Sequence, residues 1–311
     1  MNGFLNVLKP AGMTSHDVVA WLRHLCGERV GHGGTLDPGA AGVLVLCLGR
    51  ATRLAEFLLE GSKAYRAEVI LGARTPTQDR HSPPEAGGDA SGLQAGGVAA
   101  AVAGLTGEIE QVPPMTSALR YRGRRLYELA RAGREIPRPA RRVMVYRAEM
   151  VDFWPGPCAR ALIDLECSHG TYVRTWCADL GDKLGVGGYM GFLLRTRVGE
   201  FLLEESRTLE EIAEAATRGN LGTLLEPMGK AVSHLPVVVM VRNAAQLAVG
   251  HIPTGSYQAP AEGSREGQRV RVMGPGGELL AVARWMRQGG DLFLHPEKVL
   301  VPAPDRARRG E

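Results

Sequence analysis

The sequence has no apolar run long enough to cross a bilayer. Its longest, Ala40 to Leu48, is interrupted by Gly42 and falls far short of the roughly 20 residues that a spanning helix needs. The opening stretch, Met1 to Pro10, lacks a basic region and a sustained hydrophobic segment. It does not read as a secretory signal, and a cytoplasmic protein is expected. There are 5 cysteines, an odd number, and no two of them stand in C-x-x-C spacing. That argues against a structural zinc site and against a disulfide framework. The 8 histidines form no H-E-x-x-H, so no metal is expected. Nucleotide motifs are missing as well. The sole Gly-Lys pair, Gly229-Lys230, is followed by Ala231, and no G-x-G-x-x-G joins a strand to a helix. Nucleotide hydrolysis is therefore a poor candidate, and no cofactor is expected.

What is present is an ordinary soluble composition: 311 residues, 44% hydrophobic and 23% charged. That length suits about two domains. The net charge of +4 is small, but its distribution is uneven. Between Arg120 and Arg142 stand nine arginines (120, 122, 124, 125, 131, 134, 138, 141 and 142) against Glu128 and Glu135. This local excess is larger than the net charge of the whole chain, so the remainder is slightly acidic. A solvated helix face would explain a charge run of this kind. Here the charge is nearly all arginine, with Tyr121 and Tyr127 interleaved. Guanidinium planes and aromatic rings stack on bases as well as pairing with phosphates, so the segment reads as a polyanion-binding element.

Along the chain, Phe4–Leu8 reads as a strand closed by the turn signal Lys9-Pro10-Ala11-Gly12. A helix follows, capped by Thr14, Ser15 or Asp17, with Val18, Val19, Leu22 and Leu25 on its inner face and Gly27 at its end. A glycine-rich loop leads into a buried strand, Val43–Leu48. Ala51–Leu59 reads as helix, Tyr65–Leu71 as strand and the polar, Pro/Gly-rich residues 72–96 as a surface loop. A short helix is expected over Val98–Leu105. Val112-Pro113-Pro114 opens the Arg-rich insertion, and Pro137 and Pro139 close it. Strands at Val143–Phe153 and Ala159–Cys167 follow, then helices at Tyr172–Leu184 and Glu210–Ala216. Near Leu235 the composition changes to short apolar runs with Gly/Pro punctuation, the pattern of a small β-rich domain. The tail from 303 to 311 is expected to be disordered.

The loop Gly31-His32-Gly33-Gly34-Thr35-Leu36-Asp37-Pro38-Gly39 concentrates the chemistry. An Asp-Pro pair is by itself an ordinary turn. But five glycines in the twelve residues 31–42 let backbone approach a ligand closely, and the strand that follows holds Asp37 rigidly.

This segment, extended through Ala40-Ala41-Gly42-Val43-Leu44, resembles the catalytic loop of the TruB family of tRNA pseudouridine synthases. Four further segments match that family in order. They are Lys9-Pro10-Ala11-Gly12-Met13-Thr14-Ser15; Lys63-Ala64-Tyr65 with Leu71-Gly72-Ala73-Arg74-Thr75; Gln111-Val112-Pro113-Pro114-Met115 through Arg120-Tyr121 and Leu126-Tyr127; and Gly170-Thr171-Tyr172-Val173-Arg174-Thr175. The matches span about residues 1–235, and five ordered motifs are far more specific than one.

The resemblance implies an α+β fold with a mixed, mostly antiparallel sheet and flanking helices. An Arg-rich thumb would be inserted at about 111–142, and a PUA-like RNA-binding domain would occupy 236–302. It implies isomerisation of a uridine in the T-loop of tRNA, at position 55. The C1′–N1 bond breaks and the ribose rejoins C5, with no cofactor. Asp37 would be the catalytic carboxylate, attacking sugar or base or abstracting a proton. Arg174 would pair with it and favour its charged form. Tyr65 would stack on the target base and help remove the C5 proton. His32 would fill the space that the flipped base vacates. Lys63, Tyr172 and Leu193 would line the pocket, and Arg120, Arg122, Arg124, Arg125, Arg141 and Arg142 would contact RNA. Leu194 stands where the family commonly has an arginine.

The implied protein works alone, as a monomer without guide RNA or obligate protein partner. Two other readings differ in what they require. A binding-only RNA protein has no need of the Asp37, Tyr65 and Arg174 set, and a guide-dependent relative lacks the Arg-rich thumb.

Overall fold

The computed structural model describes residues 1–302 apart from Ala118, Asn243, Thr254 and residues 259–262. The expected tail at 303–311 lies outside the described residues. The chain begins β1 (Gly3–Lys9), α1 (Ser15–Cys26), β2 (Val30–His32), β3 (Ala41–Leu48), α2 (Ala55–Glu60) and β4 (Lys63–Leu71). The hairpin β5 (Ala73–Arg74) and β6 (Glu85–Ala86) follows, then α3 (Ala95–Ala103) and β7 (Gly107–Gln111). The Arg-rich insertion contains β8 (Arg120–Tyr121), β9 (Arg124–Arg125) and α4 (Leu126–Arg131). After it come β10 (Arg141–Trp154), β11 (Arg160–Cys167), α5 (Val173–Lys183), β12 (Gly188–Val198), β13 (Phe201–Leu202) and α6 (Leu209–Thr217). The final part is β14 (Val237–Met240), β15 (Tyr257–Gln258), β16 (Arg269–Met273), β17 (Leu279–Gln288) and β18 (Asp291–Val299).

The main sheet has nine strands in the order β1-β3-β12-β4-β11-β10-β7, with β2 beside β3 and β13 beside β12. Every pairing in it is antiparallel except β12 with β3. The expected mixed, mostly antiparallel α+β fold is what forms. Strand β3 is apolar without alternation because both of its faces are covered. Val43, Val45 and Cys47 pack with Phe4, Phe57 and Phe201, while Leu44, Leu46 and Leu48 pack with Val18, Leu22 and Ile212. Helix α1 starts as its sequence dictates. Thr14 accepts from the Asp17 N–H at 3.0 Å, and the Asp17 carboxylate accepts from the Thr14 N–H at 2.8 Å. Such a cap contributes about 1 kcal/mol. Gly27 ends the helix in the left-handed region at φ 67°. Helix α5 lies on the sheet with Trp176, Cys177 and Leu180 buried, and the Trp176 indole donates to the Leu105 carbonyl at 3.2 Å.

Three features depart from the sequence reading. Residues 72–96 are more than a surface loop. They contain the β5–β6 hairpin, and Thr75, Asp79 and Ala90 within them are buried. The first turn of the expected 51–59 helix is 3-10 over Gly49–Leu54, with α-helix only from Ala55. And β12, read as no element at all, forms the middle of the sheet.

The last five strands form a second sheet in the order β15-β14-β16-β17-β18 around Val238, Val270, Ala281 and Trp285. Its other side joins the main core through Leu279, Val282 and Leu300. Arg50 and Arg53 donate to the carbonyls of Leu300 and Val299, and Lys298 pairs with Glu56 at 2.9 Å. Among the described residues no helix is long and apolar enough to cross a membrane.

Candidate active site

The peptide groups around Asp37 are pinned from two directions. From β1 and the turn after it, the fully buried Lys9 ammonium donates to Ala40 O at 2.7 Å, Pro10 O at 2.8 Å and Pro38 O at 3.3 Å. The Ser15 hydroxyl accepts from Leu36 N–H at 2.8 Å and donates to Leu36 O at 3.1 Å. Gly12 N–H adds a bond to Pro38 O at 2.8 Å. From β12, the buried Arg195 donates to Val43 O at 2.8 Å, Gly34 O at 3.1 Å and Thr35 O at 3.3 Å. The Lys9–Ser15 segment thus serves as a brace for the aspartate loop. Gly42 has φ 109°, and a Cβ there would lie 2.2 Å from the Arg195 carbonyl. Only glycine lets β3 press onto β12 at this point.

Asp37 itself is partly open to solvent, with its side chain 36% exposed, while Arg174 opposite is 5% exposed. Arg174 Nε meets Asp37 Oδ2 at 2.9 Å, and Nη2 meets Oδ1 at 3.5 Å. This fork-to-carboxylate geometry is the strong form of ion pair. Behind it lies a second carboxylate, Asp79, buried and 3.4 Å from Arg174 Nη1. Asp79 is held in turn by the Thr77 hydroxyl at 2.7 Å and the His81 N–H at 3.0 Å. Thr116 completes the set around the guanidinium, with its hydroxyl 2.6 Å from Nη1 and its carbonyl 3.2 Å from Nη2.

Asp37 and Arg174 open onto a cavity of about 310 Å³ that Tyr65, Lys63, Tyr172 and Leu193 also line. That volume suits one nucleoside-sized group. Burial pushes the Tyr65 phenol up to about 12, against the pull of nearby Arg195, so it is neutral at physiological pH. Burial and Arg195 bring Lys63 down to about 8, and its ammonium donates to the carbonyls of Leu59 and Gly61. Tyr172 caps α5, its N–H donating to the buried Gln111 side chain at 3.0 Å. His32 stands apart. It is half-buried at the end of β2 and is not among the residues lining the cavity. Burial, then Arg195, lowers its affinity for a proton, and its Nδ1 accepts from Gly34 N–H at 3.3 Å.

Of the Arg-rich segment, Arg120, Arg122, Arg124 and Arg125 are exposed on a two-stranded hairpin anchored by the buried Leu126 and Leu129. Arg122 and Arg125 lie over the rings of Tyr121 and Tyr127 at 5.4 and 5.9 Å. Arg141 and Arg142 lie instead at the start of β10, and Arg142 faces Glu108 at 3.2 Å and Glu110 at 3.8 Å. The residues that sequence reasoning missed are Lys9, Ser15, Asp79, Thr116 and Arg195. Lys9 and Ser15 lay inside a quoted motif, and Arg195 sat among apolar neighbours, a signal that an inward-facing arginine gives. Asp79 in its polar segment gave none. A larger hollow of about 690 Å³ lies on the second sheet, near His251, Asp291 and His295.

Two adjoining family models match the chain. One, described as TruB family pseudouridylate synthase (N terminal domain), matches residues 23–173. The other, described as tRNA pseudouridylate synthase B C-terminal domain, matches residues 174–233. The tRNA pseudouridine synthase B of Moorella thermoacetica is 50% identical over 305 residues, covering 96% of this chain and 99% of that protein. The chain belongs to the TruB family of pseudouridine synthases. The tRNA pseudouridine synthase B of Pelotomaculum thermopropionicum, 46% identical over 317 residues, covers 99% of each chain. Among solved structures, a chain of a Cbf5-Nop10-Gar1 complex superposes with a TM-score of 0.76 at 29% identity. That superposition covers 97% of this chain and 85% of the other. As a TruB-family protein the chain is an RNA uridine isomerase.

Proposed function

We propose that this enzyme converts the T-loop uridine at position 55 of tRNA to pseudouridine, with Asp37 as the catalytic carboxylate. The observation that carries the reading is a half-exposed carboxylate in a nucleoside-sized cavity, held by a buried guanidinium. During the reaction the C1′–N1 bond breaks and the base turns. C5 then bonds to C1′, the C5 proton leaves, and N1 takes a proton. Asp37 holds the separated ribose and base in register through this sequence. The Tyr65 ring stacks on the target base, and Leu193 and Tyr172 close the cavity around it. A base inside a folded loop must first leave its stack, at a cost of a few kcal/mol. The exposed arginines of the thumb offset that cost through phosphate and stacking contacts. His32 fills the gap in the loop from its place beside Gly34.

On this reading residues 1–235 are catalytic and 236–302 form a PUA-like RNA-binding domain. The protein acts in the cytoplasm as a monomer and needs neither guide RNA nor a partner protein.

The test is release of tritium from a [5-³H]uridine-labelled tRNA transcript by purified wild type and Asp37→Ala. Release by wild type alone is expected. A wild type that binds tRNA but releases nothing would overturn the assignment. Release only after guide RNA and partner proteins are added would overturn the stand-alone mode.

A further inference from the structure

The thumb touches the guanidinium that holds Asp37 through Thr116, and its neighbour Ser117 lines the same cavity. An arginine has five N–H donors in a rigid fork. Arg174 directs two at Asp37 and two at Thr116, and its remaining direction faces Thr77 O and Asp79 Oδ2, both at 3.4 Å. The 2.6 Å bond to the Thr116 hydroxyl is the shortest of these contacts. Thr116 is also the root of the thumb. Its neighbour Ser117 accepts from Tyr127 N–H at 3.1 Å, and Leu119 accepts from Leu126 N–H at 2.8 Å. Those two bonds hold the first turn of α4, directly after the hairpin that carries Arg120, Arg122, Arg124 and Arg125.

We infer that Thr116 is a positioning residue that couples RNA seated on the thumb to the alignment of Asp37. The inference rests on the roles proposed above for Asp37 and for the thumb arginines. Its physical basis is the planarity of the guanidinium. Thr116 grips Nη1 and Nη2, which fixes the plane, and the adjoining edge, sharing Nη2, presents Nε and Nη2 to Asp37. A shift of the thumb root therefore turns the edge that holds the carboxylate. Misplacement of a reacting group by 1 Å can cost on the order of a hundredfold in rate.

The test uses Thr116→Val and Thr116→Ser in single-turnover tritium release at saturating tRNA. Valine keeps the shape and the carbonyl contact but removes the acceptor, leaving one N–H of a buried arginine unpaired. Loss of a hydrogen bond to a charged group predicts a rate about tenfold lower, with less than a twofold change in tRNA affinity. Serine restores the acceptor and returns the rate to within about twofold of wild type. The urea midpoint, measured alongside, separates this from general damage, because a merely structural role would lower it for valine without splitting rate from affinity. For the coupling, Arg124→Gln should lower the saturating rate about threefold in the wild-type background and leave it unchanged in Thr116→Val. Equal drops in both backgrounds would sink the coupling. A wild type that reacts while Thr116→Val reacts equally fast defeats this inference alone, whereas a wild type without activity on tRNA defeats it together with the proposed function.

Discussion

Replacing Arg174 with methionine separates the two carboxylates it serves. Both partners of the Arg174–Asp79 pair are almost fully buried, at 5% and 6% side-chain exposure, whereas Asp37 is 36% exposed. Removing one member of a buried pair leaves an uncompensated buried charge and costs about 3–5 kcal/mol. Asp37 can rehydrate, so its loss of partner adds little to that figure. At roughly 2–4 °C per kcal/mol for a domain of this size, Arg174→Met should lower Tm by about 10 °C. The double variant Arg174→Met/Asp79→Asn removes both buried charges and should recover much of the loss. Asp37→Asn should leave Tm within about 2 °C of wild type while abolishing tritium release. Urea and calorimetric unfolding of these variants measure the stability cycle, and tritium release measures the chemistry. Two results would refute the reasoning: Arg174→Met within about 1 kcal/mol of wild type, or single-variant losses that simply add in the double variant. Either would mean that Asp79 is not held by Arg174.

Three further outcomes follow from the same geometry. Lys9 is lowered by burial from 10.5 to about 8, so between those values the unfolded chain binds more protons and stability rises with pH. The stability of wild type relative to Lys9→Met should therefore rise by about 2 kcal/mol from pH 8 to 10 and stay flat below 8. The comparison must be relative, because the buried thiols Cys47, Cys167 and Cys177 are all shifted upward and oppose it above pH 9; parallel pH curves for the two proteins would contradict the burial of Lys9. Gly42→Ala places a Cβ 2.2 Å from backbone of Arg195, while the atoms nearest a Cβ at Gly39 belong to the exposed His81 ring, which can turn away. The first should cost several kcal/mol in urea unfolding and the second under about 1 kcal/mol, and equal losses would count against the β3–β12 contact. Arg124→Gln on the exposed hairpin should lower the salt slope of tRNA binding by about one, whereas Arg142→Gln, already facing Glu108 and Glu110, should change it less. Filter binding across a salt series decides between them, and equal slopes would place both arginines at phosphates.

Local chemistry wrote several parts of this molecule into the sequence. Thr14, Asp17 and Gly27 bound α1 because capping and a left-handed end depend only on neighbours in the chain. Val43–Leu48 reads as buried because both of its faces are apolar, and the glycine loop before it marks Asp37 as held at a strand end. The Arg-rich insertion and the β-rich end of the chain are likewise legible from composition and punctuation. The tertiary structure alone decided what Asp37 and Arg174 have around them. Their bond joins residues 137 apart, and the Asp79 clamp on the same guanidinium spans 95; no periodicity encodes a pairing at such range. Strand β12 escaped notice because register shifts at Met190/Phe192 and Arg195/Arg197 break the alternation that marks a strand. Yet this strand lies in the middle of the sheet and delivers both Leu193 and Arg195 to the site. The resemblance to a known family pointed to the carboxylate and its guanidinium, and packing across distant segments determined how rigidly each is held.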